Sequence, residues 1–137
     1  MNDWERWRAR LSHRWRLRAP RTIRYDFRKQ TCGPSSFASV ELAFTPNDDF
    51  EFARTCTWPN AAAESEARDL DAAMGAGIHD ALQPGGGSPY DAFGVRATCI
   101  LVEWDEVGSS QVAFYLAAWH ATRVLREQAD WDLVSRA

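Results

Sequence analysis

The stretch Gly108-Ser109-Ser110-Gln111-Val112-Ala113-Phe114 opens a long apolar helical pattern that reaches about Gln128. Ser109 or Ser110 can accept a hydrogen bond from the first free backbone N–H groups of such a helix, so we predict that the helix begins here. Upstream, Gly94 to Glu103 is apolar on both faces at its far end, which is typical of a central strand. This strand–turn–helix unit defines the second half of the predicted fold.

A second helical pattern lies before this unit. Apolar residues recur at helical spacing from about Ala62 to Leu82, and the Pro/Gly-rich residues 83–89 stop the pattern. Gly75 and Gly77 weaken an isolated helix, so we expect them where the helix closely approaches the sheet.

The first half of the chain contains three alternating patterns of the kind found in half-buried strands. Thr22–Arg28 and Phe37–Phe44 flank the turn-forming residues Thr31–Ser36 and therefore predict a hairpin, and Phe50–Thr57 predicts a third strand. The order hairpin, strand, helix, strand, helix predicts an α+β sandwich, with two helices on one face of a four-stranded, mainly antiparallel sheet. Trp131–Val134 is expected to add a short extended piece.

The N-terminal residues carry a separate Arg/Trp-rich pattern. Its apolar stripe predicts an amphipathic helix that Pro20 ends, which divides the chain into a helical segment, 1–19, and a domain, 20–137. The stripe can dock on the domain or on a second copy, or it can stack on nucleic-acid bases, and the large burial drive of indole rings favours docking. The stripe consists of Trp4, Trp7, Leu11 and Trp15.

Charge is strongly polarised along the chain. Residues 1–31 hold ten Lys/Arg and three Asp/Glu, whereas residues 32–137 hold six Lys/Arg and sixteen Asp/Glu, which together give the net charge of −3. Guanidinium groups bind phosphate through two parallel hydrogen bonds. The basic N-terminal residues, here called the basic arm, can therefore bind RNA phosphate, or they can equally fold back on the acidic domain. The arm comprises Arg6, Arg8, Arg10, Arg14, Arg16 and Arg18.

Several function classes lack support in the sequence. There is no phosphate-binding GxxxxGK[ST] motif and no GxSxG nucleophile elbow, and Cys32, Cys56 and Cys99 lack metal-ligand spacing. We therefore expect no catalysis, cofactor or metal, and we expect reduced thiols, with Cys99 buried. No apolar run approaches the roughly 20 residues of a membrane span, and the first residues do not form a secretory signal, so a cytoplasmic, non-membrane protein is expected.

Two stretches are the most specific in the chain: Lys29-Gln30-Thr31-Cys32-Gly33 and Gly108–Phe114. With Pro20–Ile23 before the first and Gly77–Leu82 between them, they resemble domain IV of elongation factor G, the ribosomal translocation GTPase. Ribosomal-protection tetracycline-resistance proteins share that domain. The resemblance covers about residues 14–129. It implies the ribosomal protein S5 domain 2-like sandwich, in agreement with the element order, whereas the GTPase part of the factor has no counterpart in this sequence.

In that family the domain is a finger whose tip, made of two loops, reaches the decoding centre. The chain departs from the family at both loops, because Pro34 replaces an arginine and the turn Glu103–Val107 is shorter and has no histidine. The three carboxylates of this turn would repel RNA phosphates. Thr31 and Ser109 are more often turn and cap residues than ligands. The resemblance assigns to the tip Lys29, Gln30, Thr31, Ser35, Ser36, Trp104 and Ser109.

The resemblance implies a non-catalytic, stand-alone domain of translation that binds the ribosome, RNA or a ribosome-bound factor. An alternative stays open: a protein–protein adaptor or regulator that keeps the fold but has lost RNA binding at the tip. If this adaptor is a homodimer, the tryptophan stripe forms the contact between the two copies.

Overall fold

The computed structural model describes residues 2–3, 13–29, 36–83, 91–105 and 108–134. Six strands lie within these ranges: β1 (His13–Leu17), β2 (Arg21–Lys29), β3 (Ser36–Pro46), β4 (Glu51–Arg54), β5 (Asp91–Glu103) and β6 (Trp131–Val134). The helices of the domain are α1 (Ala61–Ser65), α2 (Ala67–Leu82) and α3 (Gln111–Gln128).

The strands form one sheet in the order β2-β3-β5-β1-β6, and β4 also pairs with β5. β2 and β3 make a long antiparallel hairpin, in register from Arg21↔Phe44 to Lys29↔Ser36. β3 and β5 are antiparallel, as are β1 and β6, whereas β1 and β4 run parallel to β5. The mainly antiparallel α+β sandwich predicted from the sequence is confirmed. Its four predicted strands are β2 to β5, and β6 is the expected extended piece.

The predicted N-terminal helix is wrong for residues 13–17, which form strand β1. Trp15 pairs with Phe93 of β5 on one side and with Leu133 of β6 on the other, so both edges of the backbone are hydrogen-bonded. Leu17 is buried in the core. Sheet pairing on two sides and the burial of Leu17 together outweigh the helical spacing of the tryptophans. Trp4, Trp7 and Leu11 lie outside the described residues.

The predicted helix from Ala62 to Leu82 is present but divided. Asn60 caps α1, because its side-chain oxygen accepts a hydrogen bond from the Ala63 N–H at 2.9 Å. Glu66 then ends α1 and begins α2. Ser110 caps α3 through a hydrogen bond from the Ala113 N–H at 3.2 Å, as the sequence predicted.

The two helix glycines serve different contacts. A Cβ atom on Gly77 would lie 2.4 Å from the Tyr115 carbonyl oxygen, so Gly77 allows α2 to approach α3 rather than the sheet. A Cβ atom on Gly75 would lie 3.3 Å from the ring of Phe52 in β4, which fits the expected helix–sheet contact.

The core lies between the sheet and helices α2 and α3. It is closely packed, and Cys99 is among its fully buried residues, as expected. Among the described helices, none is long and apolar enough to cross a membrane. The largest fully buried side chains include Leu42, Phe44, Leu70, Met74, Ile78, Phe114 and Leu125.

Candidate functional site

The ends of β2 and β5 and the start of α3 meet at one end of the molecule. The hairpin register places Lys29 beside Ser36, and the β3–β5 register places Ser39 beside Glu103. The Phe37 N–H donates a hydrogen bond to the Gly108 carbonyl oxygen at 3.0 Å, which links β3 to the turn before α3. The residues that flank both loops expected at the tip therefore lie at the same end of the sheet.

Ser109 ties these two regions together. Its hydroxyl donates to the Phe37 carbonyl oxygen at 2.8 Å and accepts from the Asp105 N–H at 2.8 Å. Its own N–H donates to the Asp105 carbonyl oxygen at 2.8 Å. The hydroxyl is therefore engaged in the fold in both directions, which is the structural role expected of a serine in such a turn.

Trp104 packs at the edge of the hydrophobic core and does not present a free ligand-binding surface. Its ring is half-buried and stacks on Phe114, with 6.1 Å between the ring centroids and 14° between the planes. Its indole nitrogen is buried and has no hydrogen-bond partner in the part of the chain that the structure describes. The ring supports the start of α3 from the tip side.

The remaining tip residues divide into two groups. Lys29 is exposed at the end of β2, and Ser36 is partly buried at the start of β3. Gln30, Thr31 and Ser35 lie outside the described residues.

Arg24 offsets part of the negative charge that the sequence places at the tip. Its guanidinium lies 2.8 Å from Glu103 and 3.5 Å from Asp26. The hydrogen bond to Glu103 raises the pKa of Arg24. Asp26 accepts a hydrogen bond from the buried Ser39 hydroxyl, and this bond, with help from Arg24, lowers the pKa of Asp26. This network has no signal in the sequence, because Glu103 lies 79 positions from Arg24.

A cation–aromatic pair beside the tip was also missed. The guanidinium carbon of Arg28 lies 4.7 Å from the centroid of the Phe37 ring, and both residues belong to the hairpin. Within the described part of the chain, neither Arg28 nor Lys29 forms an ion pair. The hairpin register places Arg28 opposite Phe37, so correct pairing of the two strands would have revealed this contact.

The described members of the basic arm fold back on the domain. Arg16 lies 3.5 Å from Asp48, and Arg18 lies 2.9 Å from Asp132. These pairs are exposed, and each contributes about 0–1 kcal/mol to stability. The side chains of Arg6, Arg8, Arg10 and Arg14 lie outside the described residues.

The described residues contain no group of three or more His, Cys, Asp and Glu side chains that could hold a metal ion. The described residues at the tip offer positive charge, hydrogen-bonding groups and the Phe37 ring beside Arg28.

The fold and this tip define a two-layer α+β domain in which the ends of β2 and β5 and the start of α3 meet at one end of the sheet. No family model matches the chain. Elongation factor G 1 from Syntrophomonas wolfei is 36% identical over 101 residues, which are 74% of this chain and 14% of that protein. A crystal structure of a protein from Thermus thermophilus has the same fold, with a TM-score of 0.74 and 23% identity over 90% of this chain and 18% of that chain.

The chain is an elongation factor G domain IV-like protein, as the two sequence stretches indicated. It spans only 14% of the length of the curated relative, so the activity of the whole factor does not transfer with the similarity.

Proposed function

We propose that this protein is a non-catalytic binding module of translation that docks on the ribosome in the cytoplasm. The observation that carries the proposal is the similarity to elongation factor G over 74% of the chain. Its partner is rRNA or a ribosome-bound factor, and its contact surface is the tip together with the basic side chains nearby.

Two features of the surface support contact with phosphate. Arg28 and Lys29 are exposed at the end of β2. Arg24 lies 2.8 Å from Glu103, so at least one tip carboxylate is already neutralised within the domain. Positive groups of this kind attract a nucleic-acid backbone at low ionic strength.

The basic arm supports the same role despite its internal ion pairs. Arg16 and Arg18 have side chains that are 46% and 59% exposed. Because an exposed ion pair contributes little, a phosphate group can replace the carboxylate at small cost and form a stronger bidentate contact.

Co-sedimentation with purified ribosomes at low and raised salt tests the proposal. We expect the protein to pellet with ribosomes, and we expect salt to weaken the association because phosphate contacts release counterions. Replacing Arg6, Arg8, Arg10 and Arg14 by Ala should reduce pelleting, whereas Arg68→Ala/Arg96→Ala, which removes exposed arginines of α2 and β5, should not. Pelleting no better than that of an unrelated acidic protein would contradict the proposal.

A second candidate function is a protein–protein adaptor. It is favoured by the internal pairing of Arg16, Arg18 and Arg24, which consumes positive charge within the domain. In its homodimeric form, Trp4, Trp7 and Leu11 make the contact, with Trp15 contributing from β1. Light scattering over a concentration series measures the oligomeric state and tests the homodimeric adaptor. A dimer that Trp4→Ser/Trp7→Ser converts to a monomer supports the adaptor. A monomer at all concentrations contradicts the homodimer.

A further inference from the structure

Two cysteines meet where β4 lies against β5. These strands run parallel, with Arg54 beside Cys99. The Thr55 N–H donates a hydrogen bond to the Cys99 carbonyl oxygen at 3.0 Å, so the backbone that leads to Cys56 is fixed against β5. Cys56 follows Arg54 by two residues, and its thiol lies close enough to the thiol of Cys99 to interact with it.

The two thiols differ in accessibility. Cys56 is partly exposed and packs at the margin of the core, whereas Cys99 is completely buried. The Cys99 thiol also donates a hydrogen bond to the Leu101 carbonyl oxygen at 3.5 Å, and burial raises the pKa of this thiol. An oxidant from solvent can therefore reach Cys56, while Cys99 is held beside it and shielded.

A fixed positive charge stands next to the pair. The Arg54 guanidinium donates to the Cys56 carbonyl oxygen and is held by both carboxylate oxygens of Asp71, at 2.6 and 3.1 Å. It lies close enough to both sulfur atoms to interact with them electrostatically. The ion pair with Asp71 keeps this guanidinium in place beside the two sulfur atoms.

We propose that Cys56 and Cys99 are a peroxide-reactive thiol pair that forms a reversible intramolecular disulfide. The Cys56 sulfur attacks one oxygen of hydrogen peroxide, the O–O bond breaks, and a sulfenic acid and one water form. The Cys99 sulfur then attacks the Cys56 sulfur, the S–O bond breaks, and the Cys99 proton leaves with the hydroxyl group as a second water. A dithiol reductant reverses the reaction.

The disulfide would join β4 to the centre of the sheet and close a loop that contains α1 and α2. Closing a loop of this size restricts the unfolded chain, so oxidation should raise the Tm by about 5–15 °C. This inference does not depend on the proposed role in translation.

The test uses the full chain with Cys32→Ser, which leaves only the two proposed partners. Treatment of the folded protein with hydrogen peroxide should remove both titratable thiols, and peptide mapping should find Cys56 linked to Cys99 within one molecule. Dithiothreitol should restore both thiols. Two titratable thiols after peroxide, a disulfide between two molecules, or a lower Tm on oxidation would each overturn the proposal.

Single-cysteine variants in the same background test the order of attack. With Cys99→Ala, the Cys56 sulfenic acid has no partner and should be trapped by dimedone. With Cys56→Ala, the buried Cys99 should react with peroxide only after denaturation. Rapid oxidation of Cys99 in the folded Cys56→Ala protein would contradict the assigned order, and this variant remains informative if Cys99→Ala does not fold.

Discussion

The two ends of strand β2 use positive charge in different ways. At its start, Arg21 donates hydrogen bonds to the carbonyl oxygen and side-chain oxygen of Gln128, at 3.0 and 3.1 Å, where helix α3 ends. A cation is favourable at that position because the helix dipole places partial negative charge there. At its other end, Arg28 and Lys29 form no ion pair within the described residues, and Arg28 lies over an aromatic ring. Positive charge at the start of β2 therefore serves the fold, whereas we propose that at its end it serves contact with a partner.

Both ends of β2 depend on the same hydrophobic core. The largest expected effect of a substitution is therefore the loss of stability caused by a change in that core. Phe114 is fully buried, with Trp58 edge-on at 5.2 Å and Trp104 stacked on it. Phe114→Ala should lower the free energy of unfolding by about 3–5 kcal/mol, because it leaves a cavity between two indole rings. Chemical denaturation measures this change. Val112→Ala, at a side chain that is 67% exposed, is the matched control and should change little; equal losses for the two variants would show that α3 faces the other way.

Ser109 should act on the fold of the tip rather than on binding alone. Ser109→Ala removes the hydroxyl that bridges Phe37 and Asp105, and it should cost about 1–3 kcal/mol of unfolding free energy. The matched control is Ser65→Ala, whose exposed hydroxyl donates only to the Ala62 carbonyl oxygen. If Ser109→Ala weakens ribosome binding while the denaturation midpoint stays at the wild-type value, Ser109 is a ligand and not a structural link.

The start of β2 is expected to contribute modestly to stability, and its end hardly at all. Arg18→Ala/Arg21→Ala removes the contacts to Asp132 and Gln128 and should lower the free energy of unfolding by about 1 kcal/mol. Arg28→Ala/Lys29→Ala should change it by less. Thermal and denaturant unfolding of both double variants measures the difference, and a larger loss for the second variant would reverse the comparison.

The smallest expected effect is a pH dependence from Asp26. The pKa of Asp26 is lowered in the folded protein, chiefly by the Ser39 hydrogen bond, from an ordinary value of 3.8. A carboxylate with a lowered folded-state pKa stabilises the protein above its unfolded-state value, and that contribution is lost as pH falls through the folded-state pKa. Stability should therefore decline below about pH 4, and Asp26→Asn should make this decline shallower. An unchanged slope in Asp26→Asn would assign the effect to other carboxylates.

Local sequence patterns correctly predicted the strands and helices that their own residues are sufficient to specify. The alternation of β2 and β3 specifies strands, and Ser110 at the start of α3 specifies a cap, so these elements were predicted within a few residues. Strand β1 was missed because its pairing partners, in β5 and β6, lie far along the chain and give no local signal. Helical spacing of the tryptophans was then the strongest pattern in the N-terminal residues.

The same reason limits prediction of the site. The resemblance placed Lys29, Ser36, Trp104 and Ser109 at one end of the molecule, and the structure brings them there. The pairing of Arg24 with Glu103 joins residues that are 79 positions apart, so only the assembled sheet reveals it. The same holds for the contact between Arg54 and Asp71, which joins β4 to α2.

The central claim is that this domain binds the ribosome through its tip, and the affinities of Arg28→Ala/Lys29→Ala and of Arg68→Ala/Arg96→Ala for the ribosome test it most directly. Each variant loses two exposed positive charges, so a general charge effect is matched. We expect at least a tenfold weaker association for Arg28→Ala/Lys29→Ala, or about 1.4 kcal/mol, and near wild-type association for Arg68→Ala/Arg96→Ala. Equal weakening of both variants, or no association of the wild-type protein at low salt, would contradict it.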